Sequence, residues 1–249
     1  MLARLAAWRS RACRRGRGLR RGSALLCAFS LTLLAGADAR ADTRDKRWRT
    51  LETEHFVIHY YQGNEVAAER AAATLERAHT RLAADLGHTP FLRTQVVLTD
   101  ATDSANGVAT VIPFARIDAH VTAPDSMSVL ESYDDWLDIL LIHEYTHIVH
   151  LDTVHGLPRL VNAILGFGVL GKVWPPNGAQ PRWFIEGLAT YEESRLSSQG
   201  RRRSAHFDTM LRMHVLEHGF QRLDRVSSPG TIFPHVTTVY LYGLHFVHY

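Results

Sequence analysis

The sequence predicts an α+β fold, with a mixed β-sheet carrying an edge strand in its N-terminal half and a mostly helical C-terminal half. Three observations carry this expectation. Short alternating or β-branched stretches, bounded by turn residues, recur between residues 54 and 121. From about residue 133 onward the apolar positions recur with helical spacing. The 249 residues, 46% of them hydrophobic, suffice for one sizeable core.

The first 41 residues stand apart in composition. Arg4 to Arg21 is Arg-rich, Ser23 to Ala37 is a charge-free apolar run, and Ala39-Arg40-Ala41 has the form of a cleavage site. These features predict a signal peptide at 1–41 and a mature domain at 42–249. The apolar run is too short to span a membrane comfortably. The expectation is therefore an exported protein, periplasmic or extracellular in a bacterium, with no stable membrane span once the leader is removed. Both cysteines, Cys13 and Cys27, fall in the leader. A cysteine nucleophile, a thiolate metal site and a stabilising disulfide are thereby excluded from the mature domain. The leader also holds nine Arg and only one acid, Asp38, which leaves 19 basic and 24 acidic residues from Asp42 onward. A mature domain with an acidic balance argues against a nucleic-acid partner.

Along the domain, Asp42–Arg49 reads as a charged linker. Glu54–Tyr61 (EHFVIHYY) alternates as a strand, and Gly63-Asn64 turns the chain, with Asn64 placed as an N-cap. Glu65–Leu86 carries Val66, Ala71, Leu75, Ala78, Leu82 and Leu86 at helical spacing and is stopped by Gly87. Thr94–Thr99, Val108–Ile112 after the Asn106-Gly107 turn, and Ile117–Val121 complete the strands. Ser132-Tyr133-Asp134-Asp135 has the form of a capping box ahead of an apolar helix, Tyr133–His150. Asp152–Pro181 is an insertion whose apolar middle, LVNAILGFGVLG, reads best as a short core helix with glycine turns. Pro181 opens a helix to about Leu196, Arg201–Arg203 reads as a solvated basic loop, and Ala205–His218 is a helix ended by Gly219. A last helix begins near Thr237 and runs into Tyr249 in mid-pattern, so the domain is expected to be truncated at its C-terminus.

The chemistry concentrates in His143-Glu144-Tyr145-Thr146-His147. Histidines four apart project from one face of a helix and can share one Zn²⁺, while Glu144 lies near the open coordination position, where it can take a proton from water. Two His and one Glu in so apolar a helix are costly to bury without partners. A catalytic zinc needs a third ligand. Glu186 is the best candidate, in the otherwise apolar start of Trp183–Tyr191, where Gly187 and Ala189 are small enough to let the two helices approach. His150, His155, Asp152 and Glu192 are the other candidate ligands. Thr190, Asp138 and Asp152 are candidate acceptors for the imidazole N–H groups.

HEYTH followed by WFIEGLATYEE resembles the gluzincin metallopeptidases, and more narrowly the bacterial peptidase-MA-like family. The likeness extends to EHFVIHYY and ANGVAT and so covers most of residues 48–249. It implies a zincin-like domain, His143, His147 and Glu186 as ligands of one Zn²⁺, Glu144 as general base, and a peptide or protein substrate. Tyr240-Leu241-Tyr242-Gly243 is similar to the Y-x-K-G segment of gluzincin aminopeptidases, which makes Tyr240 the candidate oxyanion donor and His235 the fallback. Packing of a helix start accounts for Tyr240 and Tyr242 equally well. Val108–Ile112 resembles the strand that receives substrate backbone. No G-x-M-E-N segment is present, which favours an endopeptidase. The family also implies a further C-terminal domain such as a β-propeller. A non-peptidase zinc hydrolase and an exported scaffold protein with a structural or degenerate zinc site are the competing readings.

Overall fold

The computed structural model describes residues 46–125, 134–165, 176–228 and 235–249. The predicted leader, Ser132 and the apolar end of the insertion lie outside these. The architecture is mixed α/β, with one five-stranded mixed sheet and seven α-helices among the described residues.

The strands are β1 (Trp48–Glu52), β2 (Phe56–Tyr61), β3 (Thr94–Thr99), β4 (Gly107–Thr110) and β5 (Arg116–His120), in the spatial order β1-β2-β3-β5-β4. β1 pairs antiparallel with β2, with Glu52 opposite Val57. The tight connection is held by Thr53, whose N–H donates to the Phe56 carbonyl and whose Oγ1 accepts from Phe56 N. β1 corrects the linker expected at its N-terminal end. Only Leu51 of its five residues is even partly buried, so no alternation marks it and pairing with β2 makes it a strand. β2, β3 and β5 run parallel, and β4 closes one edge antiparallel to β5.

The parallel step from β2 to β3 needs a crossover, supplied by α1 (Glu65–Leu86). Its buried stripe of Ala68, Ala71, Leu75, Ala78 and Leu82 packs into the core that also holds Phe56, Ile58, Val96, Leu98 and Ile117. The predicted Asn64 side-chain cap does not form; Glu65 instead reaches back to accept from Gly63 N at 2.9 Å. Gly87 ends the helix at φ 63°, in the left-handed region that glycine adopts without strain.

α2 (Trp136–Asp152) carries the histidine motif, and 14 of its 17 residues are buried. A helix apolar on every side has to be enclosed. Here the α1–sheet layer packs on it from one direction and α4 (Arg182–Leu196) from another. Its N-cap is Asp135, whose carboxylate accepts from Asp138 N at 3.3 Å, so the helix starts later than the predicted box. After it, α3 (Gly156–Leu165) forms within the insertion. Leu157, Leu160 and Ile164 of α3 are exposed, which corrects the expectation of a core helix. The chain then reaches α4 through a 3-10 turn at Pro176–Ala179, and Pro181 precedes the first helical residue.

α5 (Ala205–His218), the one-turn α6 (Leu223–Val226) and α7 (Thr238–His248) build a second, smaller core around Phe207, Met210, Leu241 and Tyr242. α4 and α7 meet backbone to backbone. A Cβ on Gly187 would overlap the backbone of Gly243, and one on Gly243 would overlap that of α4. Gly187 thus serves the α4–α7 contact rather than the approach of α4 to α2. Among the described residues no helix is long and apolar enough to cross a membrane.

Two expectations follow. Gly187→Ala forces the α4–α7 contact apart, a cost of about 1–3 kcal/mol by the usual scale of overpacking. Urea denaturation against the parent chain measures it. Glu192 is buried, and desolvation raises its carboxyl from 4.5 to about 7 even with Arg195, which also contacts Asp85, 2.9 Å away. A carboxyl whose pKa is higher in the folded than in the unfolded chain lowers stability as pH rises through that interval. Glu192→Gln removes this penalty. Its melting temperature relative to the parent is therefore expected to be higher at pH 8 than at pH 5; a flat or opposite trend contradicts the assignment.

Candidate metal centre

Four residues apart on α2, His143 and His147 turn their rings to the same side, with Nε2 atoms 3.2 Å apart. Glu186, in the second turn of α4, places Oε2 3.5 Å from the first and 3.4 Å from the second. A cation bound tetrahedrally at zinc–nitrogen and zinc–oxygen distances requires ligand atoms roughly 3.3–3.4 Å apart. The three observed separations bracket that value, and these residues form a group that could hold a metal ion. All three side chains are largely shielded from solvent.

The electrostatics of the group point the same way. Burial favours a neutral His143, yet Glu186 and Glu193 outweigh it and raise its pKa to about 9. Burial likewise works against an ionised Glu186, but the two imidazoles hold its carboxyl far below the usual range. The spot between these side chains favours positive charge, and a divalent cation meets that demand without a proton.

Glu193 has the largest part among residues that sequence reasoning missed. It is fully buried, and its Oε2 accepts from His143 Nδ1 at 2.8 Å, which leaves Nε2 with its lone pair towards the metal position. Arg201 holds it in turn, through Nε to Oε1 at 2.8 Å and Nη2 to Oε2 at 2.5 Å. Burial alone would raise the Glu193 carboxyl, but Arg201 and His143 bring it down to about 2. The predicted solvated loop at Arg201–Arg203 is therefore corrected for Arg201, while Arg202 and Arg203 are exposed as expected. Gly200, at φ 100°, packs directly on Ser194 and turns the chain so that the Arg201 side chain enters the site. Arg203 meanwhile donates to the carbonyls of Ser194 and Gln199. Glu193 lies seven residues after Glu186, two turns along the same helix face, so its spacing was available in the sequence.

The other candidates sort cleanly. Thr190 donates to the backbone carbonyl of Glu186 and does not reach an imidazole. Asp138 binds Thr74 and Arg77, and Asp152 lies 2.9 Å from His88. His155 is exposed, Glu192 faces Arg195, and His150 is buried against Phe184; none joins the ligand group. Tyr242 turns into the second core, where its hydroxyl accepts from Gln221 N. His235 is exposed and does not line the cleft.

Tyr240 does reach the site. Its ring centroid is 6.3 Å from that of His143, and the Arg201 guanidinium stacks over it at 4.7 Å. Burial and the nearby Glu186 raise its pKa, which keeps the phenol a donor. Glu144 is buried and lines the same cleft as His143 and Tyr240. The start of β4 presses on it so closely that a Cβ on Gly107 would sit 2.8 Å from Glu144 Oε1. These groups border a cleft of about 110 Å³ whose apolar wall is Trp136, Ile139 and Leu140. No protein-family model matches this chain, and no curated protein matches it.

Glu193→Gln is expected to weaken metal binding about 10- to 100-fold, the range typical for loss of a ligand's hydrogen-bonded carboxylate. Competition with a chromophoric chelator measures this, and an unchanged affinity would show that Glu193 does not orient His143.

Proposed function

We propose that this chain is an exported zinc-dependent metallopeptidase with a zincin-like, gluzincin-type domain, acting as an endopeptidase. The observation that carries the proposal is the near-equilateral triangle of His143 Nε2, His147 Nε2 and Glu186 Oε2, with the buried Glu144 lining the same cleft as His143. Two imidazoles and one carboxylate suit zinc among divalent ions and leave a fourth position open.

Zinc, when bound, supplies Lewis acidity and makes water nucleophilic near neutral pH. The chain's own residues do the rest. Glu193 fixes the tautomer of His143. Glu144 accepts the proton of the attacking water on its carboxylate and passes it to the nitrogen of the departing amine. Tyr240 donates its O–H to the oxygen on which negative charge develops. β4, paired only to β5 among the described strands, offers its outer edge to an extended peptide backbone, and Gly107 brings that edge against Glu144. Strand pairing of this kind reads backbone rather than a free terminus, in keeping with internal cleavage.

Glu144→Gln is expected to retain stoichiometric zinc while peptide hydrolysis falls by several orders of magnitude. Metal analysis and a fluorogenic peptide library, run with and without chelator, measure both. Undiminished cleavage by the variant would remove the mechanism, and a parent chain that binds zinc but turns over no peptide would favour a scaffold.

A further inference from the structure

His143 is oriented by Glu193, but the Nδ1 of His147 is buried with no hydrogen-bond partner among the described residues. Two other buried atoms share that condition, His150 Nδ1 and Gln180 Oε1. They are not scattered. His150 is three residues after His147, so the two side chains leave α2 on the same side. The Gln180 side chain comes close enough to His150 to act on it as a hydrogen-bonding neighbour and the His147 ring acts on it through its charge, although His150 Nδ1 and Gln180 Oε1 meet no partner of full hydrogen-bond geometry among the described residues.

Gln180 owes its place to the end of the insertion. Asn177 Nδ2 donates to the His150 carbonyl at 2.8 Å, which docks the 3-10 turn on the last turn of α2. Gln180 Nε2 donates to Asn177 Oδ1 at 3.0 Å, which fixes the amide and points its oxygen elsewhere. Phe184 closes against His150 with ring centroids 5.7 Å apart.

Buried polar atoms in native proteins are satisfied by protein groups or by an internal water, and such a water makes about three hydrogen bonds. We propose that one internal water joins these three atoms, and that His150 and Gln180 thereby position His147 for metal binding. The water accepts from His147 Nδ1–H and donates to Gln180 Oε1 and to the Nδ1 lone pair of His150. All three groups are then satisfied, and His147 is held in the tautomer that leaves Nε2 free. The insertion thus supplies the counterpart, for His147, of what Glu193 does for His143. His150 and Gln180 are positioning residues that act through His147. Their role in metal binding rests on the metal-centre reading, whereas the bridge itself does not.

Two measurements test this on the full chain carrying Glu144→Gln, which prevents self-cleavage. A high-resolution crystal structure is expected to show an ordered water within hydrogen-bond distance of His147 Nδ1, His150 Nδ1 and Gln180 Oε1, with or without zinc. A dry or differently paired site overturns the bridge. Chelator competition is expected to show zinc affinity about tenfold or more weaker in Gln180→Met and His150→Phe. Gln180→Glu keeps an acceptor oxygen and is expected to retain parental affinity. Thermal melts of the metal-free variants check folding. Parental affinity in Gln180→Met and His150→Phe, or equal loss in Gln180→Glu, overturns the positioning role. A parent that holds the water but binds no zinc would defeat the metal-centre reading alone.

Discussion

Two imidazoles and a carboxylate in the middle of an apolar helix cannot be left without partners once that helix is enclosed, and most of the fold follows from how they are answered. α2 is buried over nearly its whole length. Layering it under α1 and the sheet removes apolar surface from water but also strips hydration from His143, Glu144 and His147. α4 restores what is lost, bringing Glu186 to both imidazoles and Glu193 to the far side of one. The fully buried Glu193 carboxylate then needs compensation of its own, which Arg201 provides. His143, Glu193 and Arg201 are largely shielded from solvent, so salt screens their interactions far less than those of a surface pair.

The α4–α7 contact serves the same arrangement. Gly187 follows Glu186 directly, and Gly243 is one turn beyond Tyr240. Backbone contact at that point ties a member of the ligand group to the helix that carries the phenol. A side chain at either glycine would separate the two helices and so alter the distance between Tyr240 and the ligand triangle. The small size of Gly187 is therefore a condition on site geometry as well as on packing.

Much of this was legible in the sequence, and the failures have physical reasons. α1, β3 and α5 match their predicted limits because each has a strong internal period and clear end signals, such as Gly87 and Gly219. His143, His147 and Glu186 were legible because their spacing and apolar context are local properties. β1 was not, since an exposed edge strand has no hydrophobic alternation and is defined by its partner. Arg201 looked like a surface cation because a run of three arginines usually is one; only the Gly200 turn and the buried Glu193 carboxylate, both tertiary facts, draw it inwards. The acceptors proposed for the imidazoles failed for a related reason. Asp138 and Asp152 are near in sequence but lie on faces of α2 that point to Arg77 and His88.

The missing side chain at Gly107 has a consequence for how water is handled. Because β4 rests against Glu144 with no room for a Cβ, one flank of that carboxylate is already walled by backbone. A peptide lying along the outer margin of β4 would cover much of what remains open. Occupancy of the cleft would then close the remaining flank of the carboxylate to bulk water. Access of bulk water to that carboxylate would thus depend on whether the cleft is filled, a form of restraint built from the absence of a single methyl group.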